Sequence, residues 1–155
     1  MELPFSIKSL TEFMWKKYNT SICFISEEIN DKNILGQYQS YRKEKREKKK
    51  KIFINLSNIN DETVKKFVLL HEIGHFLLEK ANFIQKEEYA DFLGYYLMKK
   101  FILEKNKIIT SSFIKELNLM PIFFIEEDIK KELTNIGELF CYSYFKYLRG
   151  EKEHL

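Results

Sequence analysis

Cysteine, proline and glycine are scarce in this chain: two, two and five among 155 residues. Cys23 and Cys141 stand far apart and outside any C-x-x-C pattern, which argues against a cysteine-held metal or a structural disulfide and suits a reducing compartment. No uncharged apolar run approaches the roughly 18 to 20 residues needed to cross a bilayer. The opening "MELPFSIKSL" has neither a basic leader nor a continuous apolar core. A soluble cytoplasmic protein is the expectation. What the chain has instead is hydrophobic mass, 45% of residues, with 14 Phe and 9 Tyr. That composition belongs to a globular protein with a well-filled interior. At this length one sizeable core is expected, hence a single domain over residues 1–155.

Acidic charge is nearly missing from one stretch. Residues 42–51, "RKEKREKKKK", hold eight cations against Glu44 and Glu47, a local net of +6 within a chain of net +3. The rest of the protein is therefore slightly acidic. The run reads as a solvated turn between two strands, since lysine-rich turns also keep edge strands from mispairing. A nucleic-acid contact is the alternative, because clustered cations release counterions from phosphate. The run lacks an aromatic residue to stack on bases.

Periodicity suggests an α+β fold. Ile7, Leu10, Phe13 and Met14 recur at helical spacing in a first helix. "SICFISEEI", "NILGQYQSY" and "KKIFINLS" read as strands of a small three-stranded sheet, completing residues 1–60. Asn58, Asn60 and Asp61 offer turn and cap chemistry before a helix from about Glu62 to Leu78. A second helix over 87–104 completes a helix pair across 61–105. A helical tail follows over 106–155, with a short helix near 111–118, a break at Pro121, and Ile129, Leu133, Ile136 and Phe140 at helical spacing. Helices are thus expected to gather on one side of the sheet.

Within the helix "FVLLHEIGHFLL", residues 71–75 match H-E-x-x-H. His71 and His75 are one turn apart on one face, where two neutral imidazoles can grip a tetrahedral zinc. Glu72 is rotated about 100° from His71, which suits a base acting on water better than a third ligand. A chance pentapeptide in a core helix is the bland reading; spending two of the chain's three histidines on it counts against accident. The third, His154, falls near the end of the chain and reads as part of a frayed tail.

A catalytic zinc needs a third protein ligand. Glu87 follows His75 by twelve residues, enough for the chain to turn and return antiparallel, and Asp91 shares its helix face. Glu87 is the expected third ligand, with Glu88 a possible substitute. Asp91 is expected to accept the free ring N–H of a ligand histidine, fixing its tautomer. A solvated acidic helix start is the alternative for these carboxylates. Gly74, Ala90 and Gly94 tip the balance, because a small-residue face lets two helices come close enough to share a metal.

"KKFVLLHEIGHFLL" followed by "EEYADFLGYYLM" resembles the ImmA/IrrE family of metallopeptidases, whose members run into H-E-L-G-H and then E-x-x-A-[DN]-x-[FL]-[AG]. Glu87, Ala90, Asp91, Leu93 and Gly94 occupy the second pattern. The Glu-then-Asp spacing is also that of thermolysin-like gluzincins, where the glutamate binds zinc and the aspartate supports a histidine. "IGELFCYSYFKYLR" resembles the family's helical tail, which implies two short helices with a turn around Cys141 to Ser143, whereas periodicity allows one long helix. The family's methionine-proline after the second helix is "LMKK" here.

The resemblance implies a cytoplasmic zinc endopeptidase, often encoded on mobile elements or in stress circuits, that cleaves a DNA-binding repressor and so regulates transcription. Glu72 would be its general base. The alternatives are a non-catalytic metal-binding regulator acting through protein contacts, and a DNA-associated module using the 42–51 run. Tyr89, Tyr95, Tyr96, Tyr142, Tyr144 and Tyr147 are all candidates to stabilise an oxyanion.

Overall fold

In the computed structural model, residues 6–25, 36–43, 47–55, 62–101 and 118–150 are described. The expected short helix near 111–118 falls almost wholly outside them, as do Asn58, Asn60, Asp61 and His154.

Helix α1, Ile7–Tyr18, starts where the Ser6 side chain accepts a hydrogen bond from the Ser9 N–H, and ends at Asn19 in the left-handed conformation. Its stripe of Leu10, Phe13 and Met14 is buried, as the spacing requires. Strands β1 (Thr20–Ile25), β2 (Gly36–Lys43) and β3 (Glu47–Asn55) follow, in the order β1–β3–β2. β1 runs parallel to β3, and β2 antiparallel to it. Ile52 and Ile54 of the central strand are fully buried beneath the helices.

The basic run departs from its expected place. It is mostly strand: Arg42 and Lys43 end β2, residues 47–51 begin β3, and Arg42 is registered opposite Lys48. The pairing that starts at Gly36 opposite Ile54 continues without a slip into the charged residues. Backbone hydrogen bonding is indifferent to side-chain charge, and the buried isoleucines set the register. Residues 44–46 lie outside the described residues.

Most of the described residues are helical. Helix α2 spans Glu62–Lys80 and buries Phe67 to Leu70, Ile73 and Phe76 to Leu78. It closes in a Schellman turn: Asn82 takes a φ of 55°, its N–H bonds to the Glu79 carbonyl, and the Phe83 N–H reaches the Leu78 carbonyl. Phe83 then packs edge-on against Tyr89, which helps bring the chain back along α2. Helix α3, Glu87–Lys100, therefore opens beside the end of α2. Gly74 and Gly94 set how close the two helices come. A β-carbon on Gly74 would meet the Ala90 carbonyl oxygen at 2.9 Å, and one on Gly94 the His71 nitrogen at 3.1 Å.

Pro121 lies in a 3-10 turn over Met120–Phe124, and α4 follows as one helix, Glu127–Leu148. The turn expected around Cys141 to Ser143 is not there. Leu133, Gly137, Phe140, Cys141 and Tyr144 keep helical spacing and are all buried, so the helix continues through that point. Phe140 and Tyr144 pack on Phe13 of α1, with ring centroids 5.7 and 5.2 Å away, while Tyr144 donates to or accepts from Ser9 Oγ at 2.7 Å. No helix among the described residues is long and apolar enough to cross a membrane.

Candidate metal centre

His71 and His75 project from successive turns of α2, with ring centroids 4.8 Å apart and planes at 84°. Glu87, the first residue of α3, lies across from both. Its Oε2 is 3.0 Å from His71 Nε2, and its Oε1 is 3.2 Å from His75 Nε2. Glu87, and not Glu88, is thus the carboxylate set against the imidazoles; Glu88 lines a cleft with Tyr89, Met120 and Phe124. The acidic start of α3 is compatible with the helix dipole.

Each imidazole is also held from behind. His71 Nδ1 is buried and lies 2.7 Å from Asp91 Oδ1, one turn along α3 from Glu87. His75 Nδ1 lies 2.8 Å from Gln85 Oε1. Glu72 is 5% exposed, and its Oε2 is 3.7 Å from His71 Nε2.

The electrostatics favour positive charge in this cluster. Burial works against the His71 imidazolium, but the hydrogen bonds it donates to Asp91 and Glu87 and the charge of Glu72 outweigh it and raise the group from 6.5 to about 10. Glu87 moves the opposite way, from 4.5 to about 2, chiefly because His71 hydrogen-bonds its charged form.

The donor set can be tested against a metal on chemistry and spacing. His71, Glu72 and His75 place one ligand atom each within 4.8 Å of one another, a group able to hold an ion. Two imidazoles and a carboxylate suit zinc. Ligands about 2.0–2.2 Å from a tetrahedral ion stand roughly 3.3–3.6 Å apart. The 3.0 and 3.2 Å separations of Glu87 from the two Nε2 atoms are close to that. The residues fit.

Gln85 is the one contributor that sequence reading missed. It sits in the connection between α2 and α3, where an uncharged side chain carries no periodic or charge signal. The tyrosine candidates for an oxyanion donor separate by their bonds. Tyr96 donates to Glu138, Tyr144 pairs with Ser9, and Tyr147 donates to Glu12, contacts that tie helices together. Tyr89 is buried under Phe83, and Tyr142 is exposed on α4.

The profile of the IrrE N-terminal-like domain, a peptidase family, matches residues 19–103, which include the sheet, α2 and α3. No curated protein and no solved structure gives a significant match. The match covers more than half of the chain and contains His71, Glu72, His75, Gln85, Glu87 and Asp91, and the chain belongs to the IrrE N-terminal-like family of peptidases.

Proposed function

We propose that this protein is a cytoplasmic zinc-dependent endopeptidase, folded as one domain over residues 1–155, that hydrolyses a peptide bond in a regulatory protein such as a transcriptional repressor. The observation that carries the reading is the Glu87 carboxylate lying 3.0 and 3.2 Å from the Nε2 atoms of His71 and His75, with buried Glu72 alongside. His71, His75 and Glu87 are the ligands in this reading, and Asp91 orients His71. When bound, the metal lowers the pKa of a water to roughly 7 and polarises the scissile carbonyl. Glu72 takes a proton from the attacking water and returns it to the leaving amine. Its burial keeps that carboxylate out of bulk solvent, and its place on α2 sets it within one helical turn of both histidines. The Glu87 side chain is 75% exposed, so a peptide can approach the cluster from its side. The repressor as substrate rests on the family resemblance.

The test compares wild-type protein with Glu72→Gln on zinc content and on cleavage of a proteome-derived peptide library. Both should hold about one zinc per chain. Cleavage by the variant should fall by roughly 10²- to 10⁴-fold, the contribution of a general base. A Glu72→Gln protein that cuts at the wild-type rate would refute the assigned chemistry. A zinc-loaded wild type that cuts nothing would favour the metal-binding regulator instead.

A further inference from the structure

The Gln85 side chain makes two contacts with one residue. Its Nε2 donates to the backbone carbonyl of His75 at 2.9 Å, and its Oε1 lies 2.8 Å from His75 Nδ1. The amide can satisfy both contacts in only one orientation. A peptide oxygen only accepts, so the NH₂ end must face it, and the carbonyl end is left facing the ring. A carbonyl oxygen cannot donate, so the ring atom opposite must carry a hydrogen. Nδ1 is then a hydrogen-bearing nitrogen, which leaves Nε2, the atom that faces the Glu87 carboxylate, as the one free to offer its lone pair to a metal held between them.

From this we infer that Gln85 is a positioning residue that fixes the polarity of His75, as Asp91 does for His71. This rests on the zinc peptidase reading above only in what Nε2 is used for. The two histidines are held by different acceptors: a carboxylate in one case, and in the other a neutral amide that is itself locked by the helix backbone. Gln85 also comes two residues before Glu87, so it pins the approach to α3 onto α2 at the level of the site. It touches no reacting atom. Its effect passes through His75.

Two substitutions separate the acceptor from the fastening. Gln85→Leu removes both hydrogen bonds, whereas Gln85→Glu keeps an acceptor for Nδ1 and loses the donor to the His75 carbonyl. Zinc affinity is measured by chelator competition at pH 8. The Nδ1 proton of His75 is followed by ¹H–¹⁵N spectroscopy, and the metal-free proteins are unfolded thermally as a control. Loss of such an orienting partner typically weakens metal binding 10- to 100-fold, so Gln85→Leu should bind zinc roughly ten-fold less tightly and lose the protected Nδ1 proton. Gln85→Glu should retain that proton and bind within about three-fold of wild type, or more tightly. Equal weakening in both variants would overturn the inference, since the fastening bond would then be what matters. So would an unchanged Gln85→Leu. A wild type that takes up no zinc would remove the peptidase reading alone; the Nδ1 proton of the metal-free protein would still decide the role of Gln85.

Discussion

Gly94 of α3 lies against the backbone of His71: a β-carbon placed on it would stand 3.1 Å from the His71 nitrogen and 3.2 Å from its Cα. The contact is reciprocated one turn away, where Gly74 of α2 faces the backbone of Ala90 at 2.9 and 3.2 Å. These two glycines let α3 present Glu87 and Asp91 to the histidines.

Replacing them separates helix propensity from fit. Alanine in a helix interior is favoured over glycine by about 1 kcal/mol, so on propensity alone either substitution would stabilise. Overpacking a tight contact costs typically 1–3 kcal/mol. Gly74→Ala meets backbone, which cannot swing aside, and is expected to lower stability in urea denaturation and to weaken zinc binding. Gly137 supplies the comparison. Its added carbon would meet the Tyr96 ring at 2.6 Å, a side chain able to move at the expense of its bond to Glu138. Gly137→Ala should leave zinc affinity unchanged. A Gly74→Ala protein as stable as wild type, with its zinc affinity intact, would show that the close approach is dispensable.

Asp91 gives a second prediction. Its Oδ1 is 2.7 Å from the buried Nδ1 of His71, which no other described group approaches within bonding distance. Asp91→Ala removes that acceptor and should weaken zinc binding roughly 10- to 100-fold. Asp91→Asn keeps an oxygen that can face Nδ1 and should lose less. The check is zinc competition on the three proteins side by side. Equal affinities would mean that α2 alone fixes the His71 ring.

Much of this arrangement was legible in the residues. Leu10, Phe13 and Met14 mark the buried stripe of α1, and H-E-x-x-H marks the facing imidazoles. The twelve-residue gap to Glu87 allows the antiparallel return, and Gly74, Ala90 and Gly94 signal its closeness. Three features were not legible. The basic run reads as a turn because charge suggests solvent, yet strand pairing is a backbone property and was carried into Lys48 by the register of Ile52 and Ile54. The family resemblance implies a turn near Cys141, while the burial of Phe140, Cys141 and Tyr144 follows the local helical period. Gln85 left no trace at all. Its importance comes from a fold that brings a connecting residue against the face of another helix, and nothing about a lone glutamine announces that.

The third prediction concerns the two thiols. Cys141 is 6% exposed, and burial, reinforced by the charge of Glu138 and opposed by Lys100, raises its thiol from 9.0 to about 12. The thiolate is the nucleophile, so Cys141 should be almost inert toward a disulfide reagent at pH 8. Cys23 is only partly buried and should react first. A folded sample is therefore expected to show one readily titrated thiol, and a denatured one two. The same shift has a sign for stability. Between pH 9 and about 12 the unfolded chain holds fewer protons at this position than the folded one, so stability falls as pH rises through that window. Cys141→Ala should remove that part of the alkaline slope and leave the neutral-pH behaviour of Cys23 untouched. Rapid modification of both cysteines in the folded protein would mean that α4 does not hold Cys141 in the core.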